Sequence, residues 1–188
     1  SKDEFGEYYG IELDIDNDLS KKKDPVAELI SDYKELIKKN HFEGETYKWE
    51  LTKRYHNRPD VDAPDFTAEI SDIEFSNLIY LMGITVSKHI SRERPEEYRK
   101  AFKNLFNESE PLTKRINQFE LEVLRIYREF VPEEKYGTYH DERTVSTFLA
   151  FHDSNRYPFF KDGFYRRYCK LTGIQPEPKG RKYEHYVH

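Results

Sequence analysis

Eight lysines and arginines fall between Ser154 and His188 against three carboxylates, and aromatic side chains are threaded between them. Phe164-Tyr165-Arg166-Arg167-Tyr168 is the densest stretch, and Arg156-Tyr157-Pro158-Phe159-Phe160-Lys161 carries the same mixture just upstream. Rings that stack on bases, beside cations that meet phosphates, are what a nucleic-acid surface requires. The local net charge is +5 in a chain whose total is −5, so residues 1–153 carry −10. An acidic total repels phosphate unless the cations gather on one face, and here they gather at least along the chain. The candidate phosphate contacts are Arg143, Arg156, Lys161, Arg166 and Arg167. The candidate base contacts are Tyr157 and Phe159, in a proline-containing loop where a ring need not be core, and Trp49, the only indole, beside Lys48. The plain alternative is that Trp49, Phe160, Phe164 and Tyr168 pack between helices.

Other chemistries lack their residues. There is no Gly-x-x-x-x-Gly-Lys-Ser/Thr loop, no Gly-x-Gly-x-x-Gly, no His-Glu-x-x-His and no Gly-x-Ser-x-Gly, so neither nucleotide hydrolysis nor a familiar hydrolase site is expected of this chain alone. Asp14, Asp16 and Asp18 have the opening spacing of a calcium loop, but Leu19 stands where that loop needs glycine and Pro25 where it needs its bidentate glutamate. The single cysteine, Cys169, excludes an internal disulfide and a Cys-rich zinc site, and its place on a short helix reads as packing. His140, His152, His185 and His188 have no ligand spacing on one element, and Glu108 to Glu110 and Glu133-Glu134 fall near helix ends where charge is solvated. No metal and no cofactor are expected.

The elements that must position these residues are mainly helices. Asp24-Pro25 is an N-cap followed by a first-turn proline, and Val26, Leu29, Ile30, Tyr33, Leu36 and Ile37 recur as one stripe expected to be buried. Further helices are expected over 46–56, 65–73, 95–106 and 112–130, with Pro95-Glu96-Glu97 opening the third of these. Leu78–Ile90 fits a helix or, through Ile79 to Val86, a buried strand, with helix favoured. Asp141 can cap a helix running to Phe151, and another covers Phe164 to Leu171 and stops at Gly173. Ile11-Glu12-Leu13-Asp14-Ile15 alternates like a short strand, as Lys182–Val187 also can, so a small sheet formed by the two ends is open and α+β is the alternative to a mainly α, compact multi-helix fold. Residues 1–24 read as an acidic segment and linker, and 25–188 as one mainly helical domain.

Composition agrees with folding. Apolar and charged residues are each 36% of the 188, a polar balance, but fifteen tyrosines and thirteen phenylalanines can fill a core that a disordered chain would lack. No stretch approaches the roughly 18 apolar residues of a membrane span, and the first 24 residues are acidic where a secretory signal would be basic and then apolar. A soluble, cytoplasmic protein is expected, and a start at Ser1 without methionine is expected of a piece of a longer chain.

Tyr47-Lys48-Trp49-Glu50 and Asp141-Glu142-Arg143-Thr144-Val145-Ser146-Thr147-Phe148-Leu149, followed by Tyr157, Tyr165, Cys169 and Gly173-Ile174, resemble the N-terminal region ahead of the motor in McrB-type AAA+ NTPases of modification-dependent restriction systems. The resemblance spans roughly residues 25 to 187 and contains no catalytic fingerprint. It implies a DNA-recognition part, often directed at a modified base, in a protein whose motor hydrolyses nucleotide and whose McrC-like partner subunit cuts. This piece, without the Walker loop, would be monomeric alone and not an enzyme. A modified base could be read in the groove or flipped into an aromatic pocket. The acidic total charge departs from what a DNA binder usually carries. The alternative class is a protein-interaction module in which acidic faces bind a partner and the C-terminal cations only balance them.

Overall fold

In the computed structural model, which describes residues 25–39, 46–132 and 137–188, every regular element is helical and no strand occurs among the described residues. The chain divides between Lys39 and Asn40 into two units, the first described helix belonging to the first of them. That helix, α1 (Pro25–Lys38), opens on its proline and keeps Leu29 and Leu36 half-buried, but Ile30 and Tyr33 are exposed. The stripe is therefore not the fully buried one expected.

The second unit holds α2 (Thr46–Arg54), α3 (Phe66–Asp72), α4 (Leu81–Glu93), α5 (Pro95–Leu105), α6 (Leu112–Arg128), α7 (Glu142–His152), α8 (Asp162–Thr172) and α9 (Lys182–Val187). Local chemistry sets many of these limits. Asp65 accepts from the amide of Ala68 at 2.9 Å and Asp141 from that of Thr144 at 3.1 Å, so each is a side-chain N-cap. Gly173 ends α8 at φ 72°, a left-handed conformation that costs a residue with a Cβ about 1–2 kcal/mol.

The centre of the unit is α7, in which every residue from Thr144 to Phe151 is buried. Phe148 meets Phe75, Phe102 and Phe119 edge-on, with ring centroids 5.7, 4.9 and 6.1 Å away, so α5, α6 and the segment before α4 close around it. A helix buried on all sides must satisfy its own hydroxyls. Ser146 and Thr147 donate to the Arg143 carbonyl, Thr144 donates to that of Tyr139, and Ser146 also accepts from the Phe160 amide. Around this centre α5 packs on α6, α4 on α3 and α5, and α9 on α7 and α8.

Two open alternatives resolve as helix. Lys182–Val187, where a short strand was open, is α9: Tyr183, Tyr186 and Val187 recur at helical spacing, and the Glu142 carboxylate accepts from the amides of Gly180 at 3.2 Å and Tyr183 at 2.9 Å. Those are donors of a helix start, satisfied without a neighbouring strand. Its expected partner strand at Ile11–Ile15 lies outside the described residues. Leu78–Ile90 is settled as helix from Leu81 onward, with Gly83 inside because a Cβ there would stand 2.9 Å from Ile79 Cγ2 and 3.3 Å from the Tyr139 carbonyl oxygen.

Candidate nucleic-acid interface

The close approach at Gly83 brings the start of α4 against the start of α7, and Arg143 stands at that junction. Its position in the first turn of α7 is set by the Asp141 cap, and its neighbour Glu142 turns to the C-terminal segment. The preceding loop turns at Ser76, φ 46°, with the Leu78 amide donating to the Phe75 carbonyl. Phe75, Leu78 and Ile79 are buried and anchor the loop. Arg143 Nε donates to the carbonyl of Leu78 at 2.9 Å and Nη2 donates to that of Asn77. The guanidinium carbon then lies 4.3 Å from the centroid of the Tyr80 ring. Such a stack is attractive because the ring face is electron-rich. Both bonds go to neutral oxygens, so the charge of Arg143 is held in place without being cancelled.

The other candidate cations are arranged differently. Arg156 pairs with Glu108, and Arg166 Nε meets Asp162 at 2.7 Å. Asp162 also takes the ammonium of Lys182; burial works against its ionisation, but the bonds from Lys182 and Arg166 hold its carboxyl below the ordinary value. Lys161 lies 5.2 Å over the Phe164 ring, and Arg167 is half-buried on α8. Asp162 is already counted in the +5 of the C-terminal stretch, so of these pairs only the one with Glu108, from outside the stretch, lowers that net charge.

Of the candidate rings, Tyr157 is a core residue. It is 3% exposed, its hydroxyl takes a bond from Arg115 Nη2 at 3.1 Å and donates to Glu108 at 3.2 Å, and it offers no face to a base. Phe159 is half-buried and edge-on to Phe151. Trp49 is exposed on α2, and Phe164 and Tyr168 are exposed one turn apart on α8. Phe160 packs into the core against Tyr165 and Tyr183, and Cys169 is buried.

Residues that the sequence reading passed over complete the junction. Tyr80 is 55% exposed, Leu81 75% and Met82 48%, and Tyr139, with φ 57°, is exposed beside them through its backbone contact at Gly83. The signal was present: Gly83, Val86, Ser87 and Ile90 form the buried stripe of α4, which leaves 81, 82 and 85 on the opposite side. The continuous apolar run Leu78–Met82 hides it, because there apolar residues fall on every side of a helix.

Two further clusters of reactive residue types are structural. His140 Nε2 lies 3.0 Å from Ser87 Oγ and 2.8 Å from Tyr98 Oη, while Nδ1 is 2.7 Å from the Thr138 carbonyl. With Nδ1–H donating to that carbonyl, Nε2 accepts from both hydroxyls. A serine beside a histidine could serve nucleophilic chemistry, but all three side chains are buried, and burial pushes His140 down to about 4. Glu120 is pushed up to about 7 by burial and then by the nearby Glu142 and Asp141. A groove of about 610 Å³ between α5 and α6 is lined by Lys100, Asn104, Gln118 and Leu121 among others, but its Arg125 is caged by Glu97, Glu122 and Glu129. Among the described residues, no three His, Cys, Asp or Glu side chains come together as a metal site needs, and no helix is long and apolar enough to cross a membrane.

No known protein family, characterised protein or solved structure matches this chain.

Proposed function

We propose that the chain recognises DNA, with its contact surface centred on Arg143 and Tyr80 at the α4–α7 junction. One observation carries this: a guanidinium fixed by two carbonyls and stacked under an exposed ring, with no carboxylate among the described residues paired to it. A cation held in this way meets a phosphate or a base edge without first losing side-chain freedom. The exposed rings of Phe164 and Tyr168, with Arg167 on the same helix and Lys161 at its N-cap, are a second contact. The resemblance to McrB-type N-terminal regions supports the wider setting: a cytoplasmic recognition part, not itself an enzyme, that works beside an AAA+ motor and a McrC-like nuclease. Of the residues first considered, Arg143 keeps its role, while Tyr157, Arg156 and Arg166 are engaged within the fold.

A protein partner on the same surface is the second reading, favoured by Leu81 and Met82, since exposed aliphatic and methionine side chains suit protein interfaces better than DNA. A titration of the full chain with DNA at 50 and 200 mM salt separates the two. Binding that weakens with salt and falls about tenfold in Arg143→Ala, with Arg143→Lys only partly recovering it, supports DNA recognition. Absent binding, or binding indifferent to both changes, supports the protein partner.

A further inference from the structure

Resting on the DNA-binding reading, we infer that the Tyr80 surface takes unpaired bases, so that its ligand class is single-stranded nucleic acid and not an intact duplex. The Tyr80 ring has one face backed by the Arg143 guanidinium, and more than half of its surface remains open to solvent. In a duplex the faces of the bases are covered by their neighbours and only edges reach the grooves. An open ring face therefore finds its complement in a base outside the stack. The surroundings agree, because Leu81, Met82 and Tyr139 present apolar surface and rings, while two arms of the fork-shaped donor Arg143 are already committed to the carbonyls of Asn77 and Leu78.

Charge points the same way. A duplex gripped by its backbone needs several free cations, whereas Arg156 and Arg166 are paired with carboxylates and the chain is net acidic. One phosphate contact from Arg143 to a single strand gives a log–log salt slope of about −0.7, so affinity should fall only about threefold from 50 to 200 mM salt. Six or more contacts would lower it about a thousandfold. Backing by the guanidinium also holds the ring in place before the base arrives, which lowers the ordering cost of binding.

The test is fluorescence anisotropy with a labelled mixed-sequence 12-nucleotide strand and with its duplex, using the full chain, Tyr80→Ala and Tyr80→Phe. Tyr80 is exposed, so both variants should melt with the parent. The strand is expected to bind at least tenfold more tightly than the duplex, to lose about tenfold or more in Tyr80→Ala, and to recover in Tyr80→Phe, which keeps the stacking face. Duplex bound as tightly as the strand would overturn the inference while leaving DNA recognition standing. A strand preference that survives Tyr80→Ala would also overturn it, by placing the unpaired bases elsewhere. Failure to bind either oligonucleotide would remove the DNA reading as well.

Discussion

Acid should loosen this fold through one histidine. His140 is buried with its ring nitrogens on the Thr138 carbonyl and on the hydroxyls of Ser87 and Tyr98, and its rim is made of the Tyr98, Phe119 and Phe148 rings. Among the described residues no carboxylate partners the ring, so none compensates a proton there. The folded state protonates it only near pH 4, against about 6.5 in the unfolded chain. Between those values the unfolded chain binds a proton that the folded chain refuses. Stability is therefore complete above about pH 6.5 and declines as pH falls, by about 1.4 kcal/mol per unit and about 3 kcal/mol by pH 4. Urea unfolding of the wild type and of His140→Gln across pH 4 to 7 measures this, because carboxylate contributions common to both cancel in the difference. The variant should be less stable by about 1–3 kcal/mol at pH 7, where it leaves a buried hydroxyl without its acceptor. That deficit should close, or reverse, toward pH 4. A deficit that stays constant with pH would refute the assignment of His140 as a buried neutral acceptor.

Glu120 should act with the opposite sign, since its raised value means that its contribution is present below about pH 4.5 and is lost as pH rises to about 7; Glu120→Gln should abolish that decline in the same unfolding series. Tyr157→Ala should cost about 3–5 kcal/mol of folding stability by emptying a core position and taking the acceptor from Arg115 Nη2, whereas Tyr80→Ala should leave the melting temperature within a few degrees. Gly83→Ala should destabilise by about 1–3 kcal/mol in chemical denaturation, because the new methyl group meets Ile79 and the Tyr139 carbonyl at the α4–α7 junction.

Much of the fold was legible because its signals are local. Asp65 and Asp141 announce helix starts through their side-chain oxygens, and Gly173 announces a stop through its backbone freedom. Lys182–Val187 stays open in the sequence because six residues satisfy either period, and what decides is the distant Glu142 carboxylate waiting for two amides. The site was harder to read for a related reason. A cation in the sequence carries a full charge, yet Arg156 and Arg166 are answered by Glu108 and Asp162, and only the folded chain shows that Arg143 is answered by carbonyls instead. Tyr157 sits in a proline loop like any recognition ring, but Arg115, a buried cation contributed by α6, draws its hydroxyl inward. Exposed rings and buried rings have the same letters, and at Tyr80 the difference lies in which side of α4 the neighbouring helices leave open.

Mapping of backbone amide shifts during titration with DNA tests the central claim most directly. Residues 77–83 and 139–144, around Arg143 and Tyr80, should shift first and saturate together, with a weaker response along α8 at Phe164 and Tyr168. Shifts confined to the α5–α6 groove or to α2, with the α4–α7 junction silent, would contradict it.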